Sequence, residues 1–205
     1  MGTAEFVVAG VINFIAEDLR ISIAVADQLI TAFSLAFAIG TPIVVSFTSR
    51  MKRKQLLLWS LVVFIIGCAV AFVSSEYVIL LVSRIILGVS AGVFSVVAIS
   101  TVTKLVPPEK MGGAISMISL AFGMAMTAGV PIWIAISNRW NWQVIFIILG
   151  VAGILVIIGL IRLLPQIEGD AAVSFWQQFS VLKNPILIGA LCFNLALCIS
   201  HERSI

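Results

Sequence analysis

The chain has one histidine, His201, and three cysteines, Cys68, Cys192 and Cys198. A single imidazole leaves no HExxH pair, no His–Cys couple inside an apolar run and no nucleophile–base arrangement. The cysteines all lie in apolar runs without metal-ligand spacing, and the composition excludes a secreted disulfide scaffold. An enzyme is therefore not expected, and neither is a metal or cofactor. Charge is scarce as well. Only 10% of the 205 residues are charged, against about 25% in a soluble domain. No nucleic-acid partner is expected.

Apolar residues take the place of the missing charge. They make up 61% of the chain, and mean hydropathy is +1.22. No single water-soluble core of this length hides so much apolar surface. The implied solvent is the lipid bilayer.

Apolar runs at 24–47, 55–73, 78–103, 112–137 and 144–164 alternate with short polar loops. Each reaches the ~20 residues that cross about 30 Å of hydrocarbon. Shorter runs at 2–16 and 185–200 flank them. The first is not a signal peptide, because it lacks a basic n-region and Glu5 and Asn13 interrupt it. The last stops at "HERSI". The chain thus reads as a fragment, cut within its first span and within its seventh. Three regions are expected. Residues 1–164 form a six-span bundle, 165–184 a central loop, and 185–205 a truncated span 7. In the loop, Phe175, Phe179 and Leu182 share one helical face, with Trp176 beside them. That suits an interfacial helix; a plain linker is the alternative.

Lys and Arg set the orientation. One set of loops holds Arg50, Lys52, Arg53, Lys54, Lys104, Lys110, Arg162 and Lys183; the opposite set holds Arg20 and Arg139. The excess places the first set, with the native N-terminus and the central loop, in the cytoplasm.

Polar residues inside spans must face protein or a water-filled cavity. Glu5, Ala9 and Asn13 line one face of span 1. Asp27, Thr31, Ser34, Ala38 and Thr41 do so on span 2. On span 4 the face is Arg84, Gly88, Ala91, Gly92 and Ser95, and on span 5 it is Ser116, Ser119, Gly123 and Thr127. Spans 3 and 6 carry almost no polar atoms and read as peripheral. The pattern repeats every three spans. Span 2 reads "SLAFAIGTPI" and span 5 "SLAFGMAMTAGVPI", ending at Gly40–Pro42 and Gly129–Pro131. Paired Gly/Pro interruptions in corresponding helices point to a transporter built from repeats.

Arg84 lies about seven residues, roughly 10 Å, inside the outer end of span 4. It has three readings. It snorkels outward; or it bonds carbonyls of a neighbouring helix; or it faces a cavity and pairs with Glu5 or Asp27.

These residues resemble the major facilitator superfamily over residues 1–200. Within it they resemble the twelve-span drug:proton antiporters of the arabinose-efflux-like branch. "GTAEFVVAGVINFIAEDL" is similar to that branch's first-helix signature, with Glu5 on its characteristic acid. "SRMKRK" stands where the superfamily has G-x-x-x-D-R-x-G-R-R. Arg50, Arg53 and Lys54 match its basic positions, while Val45, Ser49 and Lys52 replace its Gly, Asp and second Gly. "RIILGVSAG" matches R-x-x-x-G-x-x-x-G at Arg84, Gly88 and Gly92. "LVPPEKMGGA" is similar to the 4–5 loop, with Met111 for a usual Arg. "GVPIW" resembles the antiporter motif of span 5, with Trp133 for a Gly. "NWQVIF" resembles W-R-x-x-F, with Gln143 for Arg.

The resemblance implies an all-α membrane fold, the N-terminal six-helix bundle of such a transporter. It implies proton-coupled efflux of drugs, sugars or other small molecules. Glu5, Arg84, Asp27 and Asn13 would serve the coupling and cavity, and Arg50, Arg53 and Lys54 the gating loop. Gly40, Pro42, Gly88, Gly92, Gly129 and Pro131 would serve as hinges and packing points. The implied partners are the bilayer, a small-molecule substrate, protons and a missing C-terminal half. The expected location is a bacterial plasma membrane. A non-transporting relic of a disrupted gene, or a six-span subunit working as a homodimer, are the alternatives.

Overall fold

The structure, a computed structural model, describes residues 2–48 and 51–164; for residues 2–7, 9 and 126 it describes the backbone alone. Arg50, the expected interfacial helix and the seventh run lie outside the described residues. Among those described, all regular structure is helical. Helix α1 runs Gly2–Asp18 and α2 runs Ile23–Thr48. Then come α3 (Arg53–Val73), α4 (Tyr77–Leu105), α5 (Met111–Arg139) and α6 (Val144–Leu163). Helices α2 to α6 are each long and apolar enough to cross a membrane. At 17 residues, α1 spans about 26 Å.

Local chemistry sets the helix ends. Past α1, the Ile21 N–H donates to Ala16 O at 3.0 Å and the Arg20 N–H to Glu17 O at 3.3 Å. This is the paired closure that leaves a left-handed residue just past a helix. Arg20 is that residue, at φ 52°. Ser22 then caps α2, accepting from the Val25 N–H at 3.3 Å. Within α2, residues Ala36–Gly40 form a π turn just before Pro42. Proline has no N–H to donate and crowds the preceding turn, and a widened turn is one way a helix absorbs that.

The packing is crossed between the two triplets α1–α3 and α4–α6. The first helix of each triplet packs on the second helix of the other, α1 on α5 and α4 on α2. The contact points correspond. A Cβ on Gly10 of α1 would come within 3.2 Å of Val130, the residue before Pro131. A Cβ on Gly92 of α4 would strike Thr41, the residue before Pro42. One helical turn away, a Cβ on Gly88 would sit 2.5 Å from the Phe33 carbonyl oxygen. Gly40 is equally tight, 2.5 Å from Val89 Cγ2. Small residues here bring α2 and α4 backbone to backbone, the contact that helices in lipid use.

Span 3, expected to be peripheral, packs one face inward and turns Trp59, Val62, Val63 and Ile66 outward. Helix α3 packs on both α4 and α6 and buries Leu57, Leu61, Phe64, Cys68 and Ala71. Helix α5, expected to face protein, buries only Gly129, Trp133 and Ser137 among its described side chains. An apolar helix packs against its own bundle on one side and lipid on the other. A helix with a polar face is left bare unless a partner covers it.

Hydrogen bonds tie the helix ends together. Trp142 Nε1 donates to Asp18 Oδ2 at 2.9 Å and Gln143 Nε2 to Ser74 O at 3.0 Å. Tyr77 donates to Gln28 Oε1 at 3.1 Å. At the opposite end, Lys54 Nζ donates to Ile161 O at 2.9 Å and also to Leu164 O. A cation there suits the negative end of α6.

Gly88→Ala is expected to weaken the bundle by about 1–3 kcal/mol, the usual cost of overpacking. SDS-titrated unfolding of the chain in bicelles reads this as a lowered midpoint. Gly159→Ala meets nothing within 4 Å and should stay within about 1 kcal/mol of the parent.

Candidate functional site

Two polar faces stand open. On α2, Asp27, Thr31, Ser34 and Ala38 are all exposed; Thr41 is buried where α4 crosses. On α5, Ser116, Ser119, Gly123 and Thr127 are exposed. Several hydroxyls already donate within their own helix. Thr31 donates to Asp27 O at 3.4 Å, Ser116 to Gly112 O at 2.8 Å and Thr127 to Gly123 O at 2.9 Å. Their oxygens are left to accept, so the faces offer hydrogen-bond acceptors. Around the α5 stripe, Met117 is 75% exposed and Met124 62%. Thioethers are adaptable packing groups.

The α4 face differs. Gly88, Ala91 and Gly92 are buried against neighbours, chiefly α2. Arg84, one turn further, is 1% exposed. Its Cζ lies 4.6 Å from the centroid of the Phe146 ring on α6. Phe146 in turn meets Trp142 edge to face, with centroids 6.1 Å apart. None of the three guanidinium nitrogens has a hydrogen-bond partner among the described residues. At 1% exposure the snorkelling reading is excluded, because the charge does not reach the surface.

The other expected site residues fall as follows. Asp27 is exposed just past the first turn of α2 and makes no hydrogen bond to Arg84. Asn13 is exposed on α1, two residues past a break in the helix at Val11 (φ −119°, ψ 15°). Glu5 lies on α1, and its side chain is outside the described residues. In the expected gating loop, Arg53 is 5% exposed and Lys54 serves as the cap on α6. Gly129 is buried on α5, and Pro131 is exposed.

Magnitudes sharpen the position of Arg84. A desolvated cation–π contact contributes about 2 kcal/mol. Burying an ion costs several kcal/mol even after relaxation. The ring therefore offsets only part of the cost, and a negative charge arriving near Arg84 would be strongly favoured. Sequence reasoning missed Phe146 as the partner. The available signal was the aromatic pair Trp142 and Phe146, four residues apart on one helical face. It also missed a polar pocket of about 430 Å³ at one end of the bundle. Glu17, Asp18, Arg20 and Asn141 line it, beside Trp140 and Trp142.

The major facilitator superfamily profile matches residues 1–200. The chain belongs to that superfamily. It is 33% identical over 183 residues to the uncharacterized MFS-type transporter YbcL of Bacillus subtilis (strain 168), covering 89% of this chain and 47% of that protein. To the uncharacterized MFS-type transporter YtbD of the same organism it is 35% identical over 189 residues, covering 92% and 48%. To AraJ of Escherichia coli (strain K12), also named as a transporter, it is 29% identical over 185 residues, covering 90% and 47%. The chain spans about half the length of the curated relatives it matches. It is a multi-pass membrane protein of this superfamily, and the paired triplets are the superfamily's repeat as this chain displays it.

Arg84→Met should leave the bundle as stable as the parent or more so, by about 1–4 kcal/mol, since an apolar side chain removes an ion-burial cost. SDS titration of the two chains checks this. A large loss of stability instead would assign Arg84 to structural bonding.

Proposed function

We propose that this chain is the N-terminal half of a secondary active transporter that exports small molecules in exchange for protons. The observation that carries it is the pair of open polar faces on α2 and α5, in a chain spanning half the length of transporter-named relatives. Polar stripes on membrane helices need water or protein. A second half supplies both, closing the flanks and leaving a wet cavity between the bundles. The halves then rock about a midplane site. In this reading the loops rich in Lys and Arg face the cytoplasm of a bacterial cell.

Glu5 is the proposed coupling acid. Its proton and the substrate would alternate in the polar cavity, and Arg84 would receive the negative charge that either event exposes. Support comes from the buried guanidinium, which has no hydrogen-bond partner among the described residues, and from Asn13 exposed on the same helix as Glu5. The substrate class rests on the resemblance to efflux permeases, together with the exposed methionines of α5.

In the complete protein, Glu5→Gln is expected to abolish export of a fluorescent substrate driven by a pH gradient in inverted vesicles, while binding persists. Unchanged export would remove Glu5 from the coupling role. The same exposed faces also fit a second copy of this chain. Purified chain in liposomes separates the readings: a homodimeric carrier moves substrate unaided, whereas a lone half moves none.

A further inference from the structure

The polar pocket of about 430 Å³ sits where α1 and α5 end and α6 begins. Its volume falls in the range of small-molecule sites. Helix α1 supplies Phe14, Glu17 and Asp18, and α5 supplies Ser137. Trp140 and Trp142 come from the turn into α6. Ser137 lies about ten residues, or ~15 Å of helix, beyond Thr127 at the end of the α5 stripe. The pocket is therefore separate from the midplane cavity of the transporter reading. We propose that it binds an organic ammonium ion.

Ser137 is the side chain that points to a ligand. Buried hydroxyls elsewhere spend their proton on a carbonyl of their own helix. Ser74 donates to Ala71 O at 2.7 Å, Ser83 to Leu80 O at 2.6 Å and Ser90 to Leu87 O at 3.0 Å. Ser137 is 8% exposed, and its hydroxyl has no hydrogen-bond partner among the described residues. Thr41 shares that lack, but its hydroxyl is wedged against Gly92 where α2 and α4 cross. Ser137 instead lines a pocket. A buried hydroxyl left unpaired is costly, and a ligand that donates to it removes the cost.

The rest of the lining selects the ligand's charge. Among the described residues the Glu17 carboxylate has no ion pair or hydrogen bond. Asp18 Oδ2 accepts from Trp142 Nε1 at 2.9 Å, which fixes that carboxylate at the wall and leaves it able to accept more. Two carboxylates against the one guanidinium of Arg20 make the lining net acidic. An anion is disfavoured there. Trp140 is exposed, and an indole face attracts a cation. No group of three or more His, Cys, Asp or Glu that could hold a metal ion occurs among the described residues. An ammonium ion on a carbon body uses every part of the pocket. Its charge meets Glu17 and Asp18, an N–H reaches the Ser137 oxygen, and the body lies on the aromatic rings. A soluble amine and the amine of an ethanolamine headgroup both have this chemistry.

The test is equilibrium binding to the full chain in phosphatidylcholine vesicles. It involves no transport, so its failure leaves the export reading untouched. The probe is 2-phenylethylammonium, with 2-phenylethanol and 3-phenylpropionate as neutral and anionic controls. The Trp140 signal is the difference in fluorescence between the chain and its Trp140→Phe variant. The ammonium probe should saturate it at lower concentration than either control. Glu17→Gln should weaken the ammonium probe about fivefold, the equivalent of ~1 kcal/mol for one exposed ion pair. Arg20→Gln, which removes a like charge, should strengthen it. Ser137→Ala should weaken it too, yet leave the N,N,N-trimethyl derivative unchanged, because that ion has no N–H to donate. Circular dichroism checks that each variant keeps its helicity, and Glu17→Gln, on an exposed side chain, decides the matter even if Ser137→Ala misfolds. Phosphatidylethanolamine added to the vesicles identifies the source: competition assigns the site to the headgroup amine, and its absence to a soluble one. No saturable signal with the ammonium probe, or equal binding of all three probes unmoved by Glu17→Gln, would overturn the proposal. Weaker binding in Arg20→Gln would overturn it as well, by showing that the pocket does not select a cation.

Discussion

In hydrocarbon a polar group has no water to fall back on, and most of this chain is arranged around that constraint. The backbone meets it by forming helices. The hydroxyls meet it by donating to carbonyls three or four residues back, as Ser83 does to Leu80 O at 2.6 Å and Thr101 to Val97 O at 2.6 Å. Helix ends meet it with cross-links such as Trp142 to Asp18 and Lys54 to the end of α6. The exceptions therefore stand out. Arg84 is buried with no hydrogen-bond partner among the described residues, and the stripes of α2 and α5 lie open. Thr41 Oγ1, Trp133 Nε1 and Ser137 Oγ are also buried without a hydrogen-bond partner among the described residues; Arg84 differs from them in carrying a full charge.

Close contact between helices is the second consequence. Lipid tails are as apolar as leucine, so packing and not hydrophobicity holds helices together. The crossed pairs α1–α5 and α4–α2 solve this alike, with a glycine set against the residue before a proline. That shared solution links the repeat seen in two short sequence matches to a shared packing geometry. It also explains the two-sided character of the bundle. Helices α2 and α4 are locked backbone to backbone, whereas α5 touches the bundle along one narrow stripe and leaves the rest of its surface free.

Much of the fold was legible beforehand. Span placement follows from a local average of hydropathy, and turn residues sharpen it, so the helices fall close to the expected runs. Gly88 and Gly92 were legible as packing points because their spacing puts them on one face. Arg84 was visible as an anomaly, a charge in an apolar run. Its environment was not visible. The Phe146 ring that carries it sits on another helix, and nothing in "NWQVIF" distinguishes a ring that faces lipid from one that faces a cation. Lys54 was legible as a cation at a loop, and its use as a cap on α6 was not, because the carbonyls it binds carry no sequence signature.

The order of residues along the chain is enough to specify six helices, the solvent they live in and the superfamily they belong to, because each rests on local composition or on motifs with fixed spacing. It is not enough to say which apolar face meets which neighbour. With 61% of residues hydrophobic, nearly every face looks able to pack. Three-dimensional packing made those choices. It packed one face of α3 on α4 and α6, bared most of α5, and excluded water from Arg84. The physical reason is the same in each case. In a bilayer, burial is not driven by hydrophobicity, so shape complementarity between helices chooses the partners, and shape exists only once the helices are side by side.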